Sequence, residues 1–432
     1  MTGAFNELDF GTEVRQLGIV QGFTTDGQLC TLIDCFSSGT SLHAPGITTE
    51  TISGRLALIG GHFASNDAVT ASEAFLEFSF LPEWISHSPI EETVDTGYSM
   101  TVQHTDLPTA DINGVAVRFG GGWTVSGNRL RRREVIMHET VWLMFSEPAS
   151  IESILETWIG PLQQLLTLAT GRPNTVERFQ IRAPDAIVHD AEHDRVEVLM
   201  PTIKVDLQVP ERPPTPGIDM LFTLNDVSES FGDMLSRWLT IVTELRHVLN
   251  LYFATRFRSS YVEVRFLNLV QALEVYHRRR HPGGVASDAD HQRRLEAILE
   301  ASPAEYRNWL DYKLQHSNEA ALRERLTQLI EMVAPVVTPA VGNVDDFIRS
   351  TTATRHYLTH YEPALEAQAA RGEALFNLAE RLDLTLQIIL LNELGFSIER
   401  IQSVLTRYSS HSRRPYCVLK LGGRLHNFSY RQ

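Results

Sequence analysis

Two kinds of periodicity divide the chain. From Arg15 to about Val209, apolar and polar residues alternate in short runs broken by Gly, Asn, Asp and Pro, as in Thr31-Leu-Ile-Asp-Cys-Phe36, Phe75-Leu-Glu-Phe-Ser-Phe80 and Val115-Ala-Val-Arg-Phe119. A period of two sends successive side chains to opposite faces of a pleated strand, so these runs predict half-buried antiparallel strands, in a β-sandwich or a strongly curved sheet. Gly120-Gly121-Gly122 before Trp123 reads as a hairpin turn, because it has neither the Lys-Ser/Thr nor the following helix of a phosphate loop. One helix interrupts the strands: Ser150 starts it, Ile151, Ile154, Leu155, Trp158, Leu162 and Leu165 recur at helical spacing, and Gly171 ends it.

Pro210-Glu-Arg-Pro-Pro-Thr-Pro-Gly217 can continue neither a helix nor a central strand and marks a boundary. Beyond it the period changes to 3.6. Helices are predicted through Phe231 to Leu249, Arg265 to His277, Asp290 to Leu299, Ala304 to Leu314, Glu319 to Val333, Val344 to Tyr361, Gly372 to Leu394 and Ser397 to Tyr408. The expected class is therefore α+β: a β-rich domain over 1–209, a Pro-rich linker over 210–224, an all-α bundle over 225–408 and a basic tail over 409–432. Short connections between successive helices imply mostly antiparallel neighbours.

Composition narrows the class. With 432 residues, 21% charged and 43% hydrophobic, the chain is globular rather than fibrous or disordered. No run approaches the ~18 apolar residues of a membrane span, and Met1 to Glu13 does not read as a secretion signal. Cys30, Cys35 and Cys417 cannot build a disulfide framework or a structural zinc site, which points to a reducing cytoplasm. The net charge of −15 argues against nucleic-acid binding by the whole chain, but it is unevenly spread. Residues 1–230 carry −18 and residues 231–432 carry +3. Only Lys204, Lys313 and Lys420 among the 38 basic residues are lysine, a bias that composition explains and that also suits phosphate. His189-x3-His193 lies in an acidic stretch and reads as a solvated loop. The tail containing Arg413, Lys420, Arg424 and Arg431 reads as a solvated end or a phosphate-contacting arm.

The chemistry concentrates in Asp345-Asp-Phe-Ile-Arg349-Ser-Thr-Thr-Ala-Thr-Arg355-His356-Tyr-Leu-Thr-His360-Tyr361. At 100° per residue, Arg349, Thr352, His356 and His360 share one narrow helical face and Arg355 lies beside it. Arginine can neutralise a phosphodiester and imidazole can move a proton near neutral pH, so the segment holds the parts of a metal-free ribonuclease. The i,i+4 spacing of His356 and His360 also fits two metal ligands, but the Glu of a His-Glu-x-x-His motif is missing and no third ligand stands nearby. A hydrogen-bonded structural face remains open beside both. Glu274 and His277 share a helix face and could orient the histidine, bind RNA or join two helices; Arg349 admits the same readings. Arg278-Arg-Arg-His281 suits the negative end of its helix.

Arg355-His-Tyr-Leu-Thr-His360 resembles the Arg-x4-6-His signature of HEPN domains, with His356 as the polar residue that often follows the arginine. Gln271-Ala-Leu-Glu-Val-Tyr-His277 is similar to the first-half helix of the ApeA-like HEPN branch. Ile388-Ile-Leu-Leu-Asn-Glu-Leu-Gly395 with Ser397-Ile resembles its closing helices. The likeness covers about residues 225–408. More loosely, Ile52-Ser-Gly-Arg-Leu56 and Phe75-Leu-Glu-Phe78 resemble the N-terminal domain found with that branch.

The resemblance implies a metal- and cofactor-independent endoribonuclease of bacterial anti-phage, abortive-infection defence. It implies a homodimer through the HEPN bundle, a host RNA such as tRNA as substrate, and a phage-derived trigger. By the same carry-over His360 is the general base on the ribose 2′-hydroxyl, Arg355 holds the scissile phosphate and His356 positions or tunes, leaving a 2′,3′-cyclic phosphate. Two competing readings belong to other classes: a non-catalytic HEPN module binding RNA or protein beside a ligand-sensing β domain, and a carbohydrate- or peptide-binding β-sandwich with a helical dimerisation domain.

Overall fold

The computed structural model describes residues 16–41, 49–88, 90–95, 97–102, 106–128, 134–188, 194–200, 213, 215–216, 218–257 and 260–411. The His189–His193 pair, most of the Pro-rich segment and the basic tail lie outside the described residues. The chain forms two compact units that interleave in sequence. One comprises 1–166, 174–213 and 224–232, the other 167–173, 214–223 and 233–432.

The first unit is built on antiparallel strands: β1 (Gln16–Phe23), β2 (Leu29–Ser41), β3 (Thr49–Ser53), β4 (Leu56–Ile59), β5 (Thr70–Phe78), β6 (Ile90–Val94), β7 (Tyr98–Val102), β8 (Ala110–Ile112), β9 (Val115–Ser126), β10 (Glu134–Ser150), β11 (Val176–Arg182) and β12 (Arg195–Leu199), with the short helix α1 (Leu81–Ile85) after β5. Ten strands make a single sheet in the order β1-β2-β4-β12-β11-β5-β10-β9-β8, with β3 on β2, and β6-β7 is a separate hairpin. The alternation thus yields one broad sheet. Its central strand β5 buries Ala71, Ala74, Phe75, Leu76 and Phe78.

The triple glycine does not turn the chain. Gly120, Gly121 and Gly122 lie inside β9, opposite Thr140, Glu139 and His138 of β10. Glycine within a strand marks a close approach, and a Cβ on Gly121 would sit 3.0 Å from the Glu139 carboxylate and 3.1 Å from the His138 carbonyl oxygen. After β10 the helix forms as the pattern requires. The Ser150 hydroxyl accepts a hydrogen bond from the Ser153 amide, and the helix runs through α2 (Ile151–Ile154), a wide turn at Leu155–Ile159 and α3 (Gly160–Thr170). Gly171 ends it at φ 67°.

The second unit is helical: α4 (Phe231–Glu244, mostly within it), α5 (Arg246–Phe257), α6 (Val262–Arg280), α7 (Asp288–Ala301), α8 (Ala304–Leu314), α9 (Leu322–Met332), α10 (Ala334–Val341), α11 (Val344–His360), α12 (Gly372–Glu393) and α13 (Ile398–His411). The single helix expected through Leu249 divides at Leu245, although the hydrogen bonds from the Leu245 and Leu249 amides continue the ladder. The helix α10 was hidden by Pro335 and Pro339. Pro335 stands in the first turn, where no backbone donor is needed.

The core runs along α12, where every residue from Leu382 to Leu391 is buried. A helix buried on all sides must satisfy its polar groups internally. Asp383, 1% exposed, accepts from Arg256 at 2.5 Å, from Arg265 at 3.1 Å and from Gln387 at 3.3 Å. Arg265 also pairs with Glu380. Further on, Tyr276 and Arg280 hold Glu393 at 2.6 and 2.8 Å, so α6 and α12 run in the same direction and are locked at two levels. Burial and the neighbouring Glu393 carboxylate raise the Tyr276 phenol above its usual pKa. Around this pair, α6 also packs against α5, α9 and α11.

Candidate functional site

Helix α11 is positioned by its two faces. Asn343 caps it, its side-chain oxygen accepting from the Asp346 amide at 3.0 Å, and Asp345 and Asp346 complement the positive end of the helix. Phe347, Ile348, Thr351 and Thr354 form the buried stripe. Arg349, His356 and His360 fall on the opposite side, and all three face solvent. The helix stops at His360 because Tyr361 turns left-handed, at φ 51°, and Glu362-Pro363 follows.

The two imidazoles stand side by side, with ring centroids 4.8 Å apart and planes inclined by 52°. His356 is held through Nε2, 3.1 Å from Oε2 of Glu362. Among the described residues, neither ring nitrogen of His360 has a hydrogen-bonding partner, so its proton-accepting position is open to a ligand. Arg355 leaves this face toward α6, as the 100° step requires. Its side chain is 37% exposed, with Nη2 4.0 Å from Oε2 of Glu274. The Thr359 hydroxyl donates to the Arg355 carbonyl at 2.7 Å within the same last turns.

Glu274 begins a line of alternating charges. Arg278 bridges Glu274 and Glu319 at 3.2 Å each, and Glu319 reaches Arg325 at 3.6 Å. Arg278, Arg325 and Arg355 thus alternate with Glu274 and Glu319, and Glu324 acts on Arg325 as well. His316 and Arg278 hold the Glu319 carboxyl below the usual range, the His316 hydrogen bond contributing most.

The structure separates the other expected members. His277 is 3% exposed and joins α6 to α9: its Nε2 lies 2.6 Å from Oε1 of Gln328 and its Nδ1 3.2 Å from Nη1 of Arg325. Arg325 can only donate, so Nδ1 accepts and Nε2 carries the proton. Burial lowers the His277 pKa against the opposing Gln328 hydrogen bond, and His281 and Arg325 lower it further. Arg349 pairs with Asp346 at 2.5 Å, one turn back on its own helix. Glu319, Arg325 and Glu362 were not singled out in the sequence. The first two meet the motif only through α6, and nothing in their local spacing announces it. Among the described residues, no group of three or more His, Cys, Asp or Glu could hold a metal ion.

A helical bundle carrying Arg-x4-His at the open end of one helix, behind a β-rich region, is the architecture of a HEPN protein with an appended N-terminal domain. Family comparison agrees: ApeA N-terminal domain 1 matches residues 2–238 and Apea-like HEPN matches residues 267–400. The first match alone spans more than half of the chain, and the protein belongs to the ApeA-like HEPN family. No curated protein and no solved structure gave a match. Among the described residues no helix is long and apolar enough to cross a membrane.

Proposed function

We propose that this protein is a metal-independent endoribonuclease of anti-phage defence, acting on a host RNA such as tRNA when a phage-derived trigger is present. The observation that carries the reading is the imidazole of His360, without a hydrogen-bonding partner among the described residues, at the solvent-facing end of α11, five residues from Arg355. His360 takes the proton of a ribose 2′-hydroxyl. The oxygen so released attacks the adjacent phosphorus, the bond to the 5′-oxygen breaks, and that oxygen leaves with a proton. The products are a 2′,3′-cyclic phosphate and a 5′-hydroxyl. Arg355 binds the phosphate and offsets the charge that builds on it, while Glu274 limits the directions the guanidinium can take. His356, tethered to Glu362, flanks the phosphate. Single-stranded loops supply the unstacked geometry in-line attack needs, which favours a tRNA loop. Two copies associate through the helical bundle, in the cytoplasm.

Expressing the wild type, Arg355→Ala, His360→Ala and Glu274→Gln in parallel, with and without phage, and mapping RNA ends tests this. Cyclic-phosphate fragments should appear on challenge and fall by at least about a hundredfold in the first two variants. They should fall only severalfold in Glu274→Gln, which leaves Arg355 in place. Protection that persists in His360→Ala with no fragments would instead support the non-catalytic binding module.

A further inference from the structure

The residue after His360 stands where a helix ordinarily ends on glycine. Tyr361 closes α11 in the left-handed region, at φ 51° and ψ 37°, where a Cβ crowds the neighbouring carbonyl and Gly or Asn is the usual occupant. Among the described residues the other non-glycines with positive φ are Asp34, Ser86 and Asn113, all small and polar. A tyrosine in that conformation is an outlier of the kind that collects at functional sites. Its ring gains no shelter in return, because Tyr361 is 69% exposed.

The chain around that ring is fixed. The Tyr361 amide donates to the Tyr357 carbonyl at 2.6 Å, and Pro363 keeps Glu362 extended, at φ −69° and ψ 116°. The rings of Tyr357 and Tyr361 meet edge to face, with centroids 5.7 Å apart and planes inclined by 65°. Tyr357 is itself pinned: Arg371 donates to its hydroxyl at 3.1 Å, lies 5.3 Å from its ring centroid and is anchored on Glu366 at 2.6 Å. Tyr357 thus braces a ring whose remaining surface is open to solvent. On the last turns of α11 the columns Arg355–Thr359, His356–His360 and Tyr357–Tyr361 stand side by side at 100° steps, so the tyrosines flank the imidazoles on the side away from Arg355.

We infer that Tyr361 stacks on the base of a nucleotide adjoining the scissile phosphate and so positions the RNA over His360. The inference rests on the RNA-cleaving reading of Arg355 and His360 and deepens it. An uncharged exposed ring offers a phosphate no counter-charge but offers a base a face, and unpaired RNA is held largely by such stacking. Adjacent residues have Cα atoms about 3.8 Å apart. The ring that holds the base and the imidazole that takes the 2′ proton therefore start from neighbouring points, as base and ribose do within one nucleotide. Stacking accepts every base and favours the larger purine face, so cleavage is expected beside purines in unpaired RNA.

Two measurements on the full chain test this. In the first, kcat/KM is determined on a synthetic stem-loop RNA carrying the cleavage site mapped in cells. Tyr361→Ala lowers it about tenfold to a hundredfold, mainly through KM, and Tyr361→Phe stays within about threefold of wild type. Tyr361→Gly relieves the backbone, so its urea midpoint is no lower than that of wild type, yet its activity falls as far as that of Tyr361→Ala. An abasic nucleotide placed in turn on either side of the cleaved bond lowers the wild-type rate at one of the two places and changes Tyr361→Ala little there, because the ring that held the base is already gone. In the second, hexa-adenylate quenches the tryptophan fluorescence of Tyr361→Trp in a His360→Ala background beyond any change in His360→Ala alone. The stacking is overturned by a Tyr361→Gly protein as active as wild type, by an abasic effect undiminished in Tyr361→Ala, or by a Tyr361→Ala chain whose mass in solution differs from wild type, which would place the ring between copies. If the wild type yields no RNA fragments, the cleavage reading falls by itself. The hexa-adenylate signal then decides the stacking alone, and its absence overturns it.

Discussion

His277 and His360 show how burial sets one residue type in two opposite environments. Among the described residues, His360 ends a helix in solvent with neither ring nitrogen hydrogen-bonded, whereas His277 is enclosed and bonded on both nitrogens. The sign of the linkage for His277 follows from its lowered pKa. An unfolded chain takes up the proton near the ordinary imidazole value of about 6.5, and the folded protein resists it to lower pH. The stability contributed by neutral His277 is therefore present in full above that value and is lost as pH falls from it through the folded pKa. Urea midpoints at about pH 7.5 and 5.5 should show a larger acid loss in the wild type than in His277→Gln. Equal losses in both would assign the acid sensitivity to other groups. At this scale the sequence displayed Arg355, His356 and His360 openly, since their relation is one of helical spacing. The approach of Glu274 to Arg355 was not legible, because the two residues lie on separate helices.

At the scale of elements, α6 and α12 carry the bundle, and α5 joins them through a buried charge cluster. Arg256 and Arg265 both converge on Asp383, whose side chain is 2% exposed. Replacing Asp383 by Ala leaves two arginines facing each other without their shared counter-ion, a loss of about 3–5 kcal/mol. Chemical denaturation should show a correspondingly lower midpoint, and a fall under about 1 kcal/mol would mean that water compensates the arginines. Element type was readable from periodicity almost throughout, including the Ser150 cap and the stop at Gly171. Two local readings fell to tertiary context. The triple glycine became strand because β10 supplies partners along its length, and α10 formed despite its prolines because Val336, Val337 and Val341 bury against the bundle.

For the whole molecule, the division of charge outweighs its total. Residues 1–230 carry −18, and at low salt that field opposes the approach of RNA to any site on the same chain. Neutralising exposed carboxylates Glu91, Glu92 and Asp95 to their amides in the full chain should therefore raise RNA affinity at low ionic strength, and the gain should fade toward 1 M salt, where screening reaches about 3 Å. Filter binding across a salt series checks it, and unchanged affinity would mean that these carboxylates do not act on the approach of RNA. The full chain is the right object, because 167–173 and 214–223 belong to the second unit and Phe222 packs on Phe396, 5.2 Å between ring centroids. Cutting at residue 225 would strip that packing away.

The sequence by itself determined what depends on neighbours along the chain: strand and helix type, the caps and stops, and the helical relation among Arg349, Arg355, His356 and His360. Those properties follow from backbone geometry repeated every two or 3.6 residues. Only the tertiary structure decided that ten of the strands join in a single broad sheet, that the buried side of α11 turns Arg355 toward Glu274, and that His277 is walled in by Arg325 and Gln328. Each of these depends on which surfaces bury against which, a choice made between residues distant in sequence and invisible to any local period.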